Sequence, residues 1–366
     1  MGRMDIAAGV RITGLRQHRA WLARATPPVE RLAADLWSIP VPIPNSSLRY
    51  VSVYVLAGDG GLTLVDAGWD SDESWVSLRG GLASIGAAIT DVRGCLVTHQ
   101  HYDHLGLAGR VREASGAWVA LHPADVPRSA RHDLRRPERA ARAQWTWLMA
   151  MGAPAGEARR LMDALAAFDI MDYPEPDRLV EDGEIVRVPG WTLRAIHTPG
   201  HTAGHLAFFA ESRGLLFSGD HVLPRISPHV PSEIEPDTDA LGDYLASLDK
   251  IAGLPAEEVL PAHEWRFTGL ADRVAELIAH HEYRLAELLE VIRRSPGLVA
   301  WQMAGELTWS RSWDQYDGFM RVSAVDETMA HISRLLAIGL ITAADEPAPR
   351  YFAAPAGPGA GPGGPG

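Results

Sequence analysis

The chain has 366 residues, 46% of them hydrophobic and 22% charged, so it can bury a full core, and we expect one large domain and one smaller one. Its formal net charge of −12, from 34 basic and 46 acidic residues, gives no overall attraction for a phosphate backbone, so nucleic acid is the less favoured partner. The single cysteine, Cys95, excludes an internal disulfide and a thiolate metal cluster within one chain.

The N-terminal stretch MGRMDIAAGVRITGLRQHRAWLARA lacks the apolar core of a signal peptide. No apolar run elsewhere is long enough to span a bilayer. We therefore expect a cytoplasmic protein without a membrane partner.

The first half of the chain predicts an N-terminal arm followed by a layered α/β domain. Residues 1–34 form the predicted arm, and 35–270 the main domain. The stretch YVSVYVLAGDGGLTLVDAG predicts a hairpin that ends at Asp66. The stretches VRGCLVT, DHLGLAGRVREA and AWVALHP predict a strand, a helix beginning beside Asp103, and a further strand.

The second half predicts more helix. Residues 123–178 are rich in alanine and arginine and predict a helical insertion, and a second hairpin, LAFFAESRGLLFSGD, then ends in Asp220. Residues 271–353 predict helices followed by a short β-wing, the order of a winged-helix-like domain. The Gly/Pro-rich segment 354–366 is a predicted disordered tail.

The stretch CLVTHQHYDHLGLAG places three histidines and an aspartate within six positions, at the end of a predicted strand: His99, His101, Asp103 and His104. A polar turn in which Asp103 caps a helix is one interpretation, since aspartate often fills that role. Four potential ligands at this spacing favour a metal site instead, and the two pairs would aim at two different ions.

Three later residues also follow strand-like runs: His201, Asp220 and His263. Each one alone would more often be a hydrogen-bonded loop histidine or a turn former. Together with the first loop they make five histidines and two aspartates, enough to hold two divalent ions with positions left open for water.

These motifs resemble the metallo-beta-lactamase superfamily, whose His-x-His-x-Asp-His signature stands here at residues 99–104. The resemblance extends over about residues 35–270 and implies a four-layer αββα sandwich. It assigns the ligands as follows: His99, His101 and His201 to the first metal, Asp103, His104 and His263 to the second, Asp220 as the bridge, and Asp66 behind a ligand histidine.

A dinuclear site of this type implies hydrolysis by a hydroxide that bridges the metals. Zinc is the metal we expect first, and iron or manganese would suit the same ligands. Asp103, His205 and His221 are the candidates for catalytic groups beyond metal binding, as proton donors or acceptors. For His205 and His221, a structural role in their loops is the competing interpretation.

Asp220 also limits which branches of the superfamily the sequence resembles. Antibiotic-hydrolysing lactamases resemble this pattern but carry cysteine or serine at that position, which disfavours β-lactam hydrolysis. An aspartate at this position instead resembles the pattern of the glyoxalase II, lactonase, thioesterase, dioxygenase and nuclease branches. The insertion residues Trp145, Trp147, Met149 and Met151 would either roof an apolar pocket over the metals or pack the insertion onto the sandwich.

We therefore expect a small-molecule thioester, ester or lactone as the substrate. The C-terminal helices resemble the tail of a lactamase-like subfamily that includes endoribonucleases, which makes a metal-dependent endoribonuclease one alternative. Residues 271–353 carry twelve acidic against eight basic side chains, whereas a nucleic-acid-binding wing should be basic, so we expect the tail to pack or to form a homodimer. A mononuclear iron persulfide dioxygenase is the other alternative, since one iron would suit the same ligands.

Overall fold

The computed structural model describes residues 9–126, 137–165, 174–232, 238–344 and 348–355. Parts of the predicted helical insertion, 127–136 and 166–173, lie outside these residues. The predicted tail from 354 also lies outside them, except for its first two residues.

The described chain contains sixteen strands and ten α-helices. The strands are β1 (Arg11–Ile12), β2 (Glu30–Ala33), β3 (Leu36–Pro42), β4 (Tyr50–Gly58), β5 (Gly61–Val65), β6 (Val92–Leu96), β7 (Trp118–Leu121), β8 (Arg178–Leu179), β9 (Ile185–Val188), β10 (Trp191–His197), β11 (Leu206–Ala210), β12 (Leu215–Gly219), β13 (Glu258–Pro261), β14 (Phe267–Thr268), β15 (Ile341–Ala344) and β16 (Arg350–Ala353). The helices are α1 (Leu15–Leu22), α2 (Asp72–Ser84), α3 (Tyr102–Leu105), α4 (Ala108–Ser115), α5 (Pro137–Ala150), α6 (Ala155–Leu165), α7 (Ala240–Ala252), α8 (Leu270–Arg294), α9 (Ala300–Glu306) and α10 (Gly318–Ala337).

Two large mixed sheets form the centre of the fold. In the described residues, one sheet has the strand order β2-β3-β4-β5-β6-β7-β8 and the other β1-β14-β13-β12-β11-β10-β9. Strands β5 to β8 run parallel, as do β12 and β13, while the other pairs are antiparallel. Both predicted hairpins are present, as β4-β5 and β11-β12, and the predicted α/β sandwich is confirmed.

Strand β4 shows why its sequence is apolar without alternation. Val53 and Val55 face the core under α2, which includes Leu78 and Leu82. Their neighbours Tyr54 and Leu56 belong to the other core, between the two sheets. A strand covered on both faces needs apolar residues at every position, whereas a half-exposed strand alternates.

The described N-terminal residues, 9–34, contribute one strand to each large sheet. Strand β1 pairs with β14, with Arg11 opposite Thr268, and β2 pairs with β3, with Glu30 opposite Ser38. The structure thus differs from the predicted 1–34 boundary. These edge strands are only two and four residues long and carry polar side chains, so they lack the apolar alternation that marks a strand.

The helix that we predicted to begin beside Asp103 is interrupted. Helix α3 ends at Leu105 and α4 begins at Ala108. Between them the Leu107 backbone N–H donates to the Gly68 carbonyl at 2.8 Å. Because of this break, the short α3 carries two of the metal-ligand candidates while α4 packs against β6 and β7.

The described chain divides into two compact units. The first lies within Met1–Ala140, Phe168–Pro231 and Ala240–His280, and it contains both large sheets. The second lies within Ala141–Ala167, Ser232–Asp239 and His281–Gly366. This division differs from the predicted one, because the described part of the insertion joins the C-terminal helices.

The core of the second unit explains that grouping. Leu148 and Met151 of the insertion are buried in one apolar cluster with residues of α8, α9 and α10. Trp145 and Trp147 pack against the same cluster, and Met149 is exposed. These described apolar residues of the insertion therefore stabilise the second unit.

The C-terminal elements follow the order helix, helix, helix, hairpin. Helix α10 begins at Gly318, and β15 pairs antiparallel with β16. The winged-helix interpretation of this order stays a prediction. Across the described ranges, we find no helix with both the length and the apolar character needed to cross a membrane.

Candidate metal centre

The predicted ligands lie in loops and in the short helix α3, at one edge of the two sheets. Residues 99–104 follow β6, Asp220 follows β12, His263 follows β13, and His201 lies in the turn between β10 and β11. Because β12 and β13 are parallel, their carboxyl ends meet at the same edge. Strand ends of this kind are the usual position of sites in layered α/β folds.

Three histidines form what we call the first group: His99, His101 and His201. His99 Nε2 lies 2.9 Å from His101 Nδ1, and the ligand atoms of all three residues lie within 4.8 Å of one another. His99 and His201 are buried, and His101 is partly exposed. Three converging imidazole nitrogens suit a transition-metal ion such as zinc.

The second group consists of Asp103, His104 and His263. Asp103 Oδ2 lies 3.3 Å from His263 Nε2 and 3.7 Å from His104 Nε2. Both histidine side chains are fully buried, whereas 16% of the Asp103 side chain is exposed, so the carboxylate is the part of this group that water reaches.

Asp220 lies between the two groups. Its Oδ2 is 3.5 Å from His201 Nε2 of the first group. Its Oδ1 is 3.6 Å from His104 Nε2 and 3.3 Å from His263 Nε2 of the second. With one oxygen toward each group, this carboxylate has the placement expected of the bridging residue.

Hydrogen bonds to the Nδ1 atoms determine how three of the ligand histidines are oriented. In three of the five ligand histidines, Nδ1 faces an acceptor and donates its proton to it, so Nε2 is the nitrogen that points into the site. The pairs are His104 with Asp66 Oδ2 at 2.9 Å, His263 with the Tyr50 carbonyl at 3.0 Å and His201 with the His229 carbonyl at 2.6 Å.

Those inward atoms test whether the residues fit metal ions. Among the described residues, no hydrogen-bond partner is found for the Nε2 atoms of His104, His201 and His263 or for Asp220 Oδ1, although all are buried. Buried polar atoms normally have partners, because leaving one unpaired costs about 1–3 kcal/mol. Buried ligand atoms that converge on one place without other partners are what metal coordination requires, so the residues fit.

The histidines of the first group are held neutral. Burial lowers the pKa of His101 to about 3, and the neighbouring His201 adds to the effect. Burial is also the main cause that lowers the pKa of His99 and His201. These rings therefore present lone pairs to a metal at any pH near neutrality.

The second group behaves in the opposite way. Burial would lower the pKa of His263, but Asp220 and Asp103 outweigh it and raise the pKa to about 10. Burial likewise opposes a charge on His104, yet Asp103, Asp66 and Asp220 raise its pKa well above the usual value. These carboxylates stabilise a positive charge nearby, which is supplied either by protons on the two histidines or by a bound metal ion.

Thr98 is a residue that the sequence analysis missed. Its backbone N–H and hydroxyl donate to Asp66 Oδ1 at 2.8 and 2.9 Å, and its hydroxyl lies 3.0 Å from His99 Nδ1. Asp66 itself has a left-handed backbone, with φ of 61°. The threonine's place directly before the histidine motif was the available signal.

His205 and His221, the two predicted proton-transfer candidates, are fully buried beside the groups but belong to neither. His205 Nε2 accepts the Asp220 backbone N–H at 3.2 Å, and its Nδ1 lies 2.7 Å from the Thr198 hydroxyl. His205 therefore holds the backbone of Asp220 through Nε2 and is itself held by Thr198 through Nδ1. The His221 ring packs against His205 and Tyr244, and its catalytic role stays a prediction.

A solved structure similar to this chain is the metallo-beta-lactamase family protein TTHA1429 from Thermus thermophilus. The two share 33% sequence identity with a TM-score of 0.74, over 88% of this chain and 100% of that one. Since nearly all of this chain is covered, the similarity extends beyond the two sheets.

Two curated relatives match shorter segments. The lactamase-like protein aptB of Emericella nidulans is 37% identical over 127 residues, 35% of this chain and 38% of that protein. The atrochrysone carboxyl ACP thioesterase AgnL7 of Paecilomyces divaricatus is 32% identical over 163 residues, 44% of this chain and 49% of that protein. The chain thus spans about half or less of the length of these relatives.

The family model described as the metallo-beta-lactamase superfamily matches residues 47–263. That range is more than half of the chain and extends from β4 to the last predicted ligand, His263. It agrees with the sheet order and with the arrangement of the ligand residues. The chain therefore belongs to the metallo-beta-lactamase superfamily.

Proposed function

We propose that the protein is a hydrolase that uses two divalent metal ions, zinc first, to cleave a small-molecule thioester, ester or lactone. The observation that carries the proposal is the position of Asp220, with one carboxylate oxygen toward each ligand group. A single-ion site would not need a carboxylate placed between two complete sets of ligands.

Two ions bound there would lower the pKa of a shared water from about 15.7 toward neutrality and polarise the carbonyl oxygen of the substrate. The chain's own residues prepare this site. The hydrogen bonds to Asp66, Tyr50 and His229 hold the ligand rings in one tautomer, and His205 holds the backbone of Asp220. His101 and Asp103, the partly exposed ligands, lie where a substrate would enter.

Among the three substrate classes we place the thioester first. The support is the similarity to AgnL7, which is named as an acyl carrier protein thioesterase. The apolar insertion no longer favours an apolar substrate, because its described tryptophans pack into the second unit. We propose a small molecule and not RNA as the partner, because the C-terminal segment is net acidic.

The test begins with metal content. Protein purified without added metal is analysed for metal atoms per chain, and then assayed on acyl thioesters, lactones and RNA. We expect about two zinc ions per chain and thioester hydrolysis that is lost with chelator and restored by zinc. His99→Ala should lose metal and activity while largely keeping its fold, because the cores of the sheets do not depend on the ions.

Two results would replace the proposal. About one iron per chain, together with oxygen uptake on glutathione persulfide, would establish the dioxygenase alternative. Cleavage of RNA with a steep fall of binding as salt rises would establish the endoribonuclease. Full turnover by His99→Ala would show that the ligand assignment itself is wrong.

A further inference from the structure

A buried carboxylate outside both ligand groups connects two of the metal-binding loops. Asp125 Oδ2 accepts the Gln100 backbone N–H at 3.0 Å and the Thr202 hydroxyl at 2.7 Å. Its Oδ1 accepts the Gly204 backbone N–H at 2.6 Å. Gln100 lies between the ligands His99 and His101, and Thr202 directly follows the ligand His201.

The local structure holds Asp125 firmly in this place. It ends a short turn, Pro123–Asp125, that follows β7. The His122 ring caps this turn by accepting the Ala124 N–H at 3.2 Å, and the Asp125 N–H donates to the His122 carbonyl at 3.0 Å. These two hydrogen bonds therefore hold the backbone of Asp125 in place, and its carboxylate extends from there to the two loops.

The packing at Gly204 shows that the close approach is built into the sequence. A Cβ atom on this residue would lie 2.5 Å from the Asp125 backbone nitrogen and 2.7 Å from its Cβ. Both distances are too short for real contacts, so the loop can close onto Asp125 only with glycine at this position.

The chemistry of the contact requires a charged acceptor. Three donors point at one side chain, and an ionised carboxylate is the side chain that only accepts hydrogen bonds. Asp125 is fully buried, and a buried charge is costly unless hydrogen bonds satisfy it. An asparagine would turn its own N–H groups toward at least one of these donors, so it cannot replace all three bonds.

We propose that Asp125 is the positioning residue of the first metal group. By tying the His99–His101 loop to the loop that begins at His201, it fixes the spacing of the three histidines and thereby the affinity and geometry of the first ion. Asp66 serves the second group through His104. Asp66 meets the first group only indirectly, through the Thr98 hydroxyl beside His99, whereas Asp125 bonds both loops that carry its histidines. The inference rests on the proposed metal-binding function.

The experiment isolates each ion before the aspartate is changed. In a His263→Ala background the second group is incomplete, and in a His201→Ala background the first is. Asp125→Asn is placed in each background, and Co2+ affinity is measured by competition with a chelator. The visible spectrum of the bound cobalt reports ligand geometry independently of turnover.

We expect Asp125→Asn to weaken cobalt binding by about 10–100-fold in the His263→Ala background, as loss of a residue that supports metal ligands does. Its cobalt spectrum should also change, whereas binding in the His201→Ala background should stay unchanged. Asp66→Asn should weaken cobalt binding more in the His201→Ala background than in the His263→Ala background, because Asp66 bonds His104 directly and reaches His99 only through Thr98. Thr202→Val, which removes only the hydroxyl bond, should give a smaller loss in the same direction as Asp125→Asn and serves if that variant does not fold.

Asp177→Asn is the matched control, because Asp177 Oδ2 also accepts a backbone N–H, that of Val119 at 2.9 Å, but touches no ligand loop. It should leave cobalt binding unchanged in both backgrounds. Unchanged affinity and spectrum in Asp125→Asn, or an equal loss in both backgrounds, would overturn the inference. If the parent protein itself takes up no metal, the proposed function fails, which is a different result.

Discussion

The two ligand groups lie side by side but differ in charge and in what supports them. The first has three histidines, held neutral by burial. The second pairs two histidines with Asp103, and the surrounding carboxylates raise the pKa of both rings. Residues 99–104 thus supply ligands to both groups. Metal binding at the second group must displace protons from its histidines, whereas metal binding at the first group need not.

Replacing the residue that joins the groups should have the largest effect. Asp220→Asn keeps the size of the side chain but removes the charge that faces both groups. We expect kcat/KM to fall by more than about 100-fold, the upper limit for losing a residue that merely supports a ligand. Steady-state kinetics together with metal content will show this, and retention of two tightly bound ions at full activity would contradict the bridging role.

Removing one ligand from each group should separate the ions. His263→Ala should keep the first ion and lose the second, whereas His201→Ala should do the opposite. Elemental analysis should then give about one metal per chain for each variant, and both should lose most of their activity. If either variant lost both ions, the groups would be a single cooperative site.

Acid should weaken the second ion before the first. Binding at the second group must displace protons from His104 and His263, whose pKa values are raised, so its affinity should fall about tenfold per pH unit for each proton displaced between pH 8 and 6. The first group is already neutral there, since the pKa of His101 is about 3. Zinc competition titrations at three pH values, on the single-ligand variants, will compare the two slopes. Equal slopes would mean that the groups do not differ in protonation.

The smallest effect is expected outside both groups. His221→Asn should keep both ions and lose at most about tenfold in rate, since its ring contacts His205 and Tyr244 but joins no ligand group. Thermal unfolding measured alongside separates a loss of fold from a loss of chemistry. A fall in metal content would assign His221 to the ligands.

Much of the site was predictable from the sequence, because its ligands come from strand ends. The motif at 99–104, His201, Asp220 and His263 each follow an apolar run, and parallel strands bring such ends to one edge. The hairpins before Asp66 and Asp220 and the apolar strand β4 were predictable for a similar reason, since burial on both faces leaves a continuous apolar pattern.

The edge strands and the packing of the insertion were not predictable from the sequence. Strands β1 and β2 are too short to show a period, and they are strands only because β14 and β3 lie beside them. Trp145 and Trp147 gave an apolar pattern but no information about which surface they cover. Their partners on α8, α9 and α10 are more than a hundred residues away in sequence.

The sequence by itself thus determined the layered α/β class and predicted the candidate ligands, because both follow from local patterns of residue type. Only the tertiary structure decided which oxygen of Asp220 faces which group, and that Asp125 connects loops 25 and 79 residues away in sequence. The physical reason is that a hydrogen bond between distant segments depends on the position of both backbones, and no local pattern encodes that position.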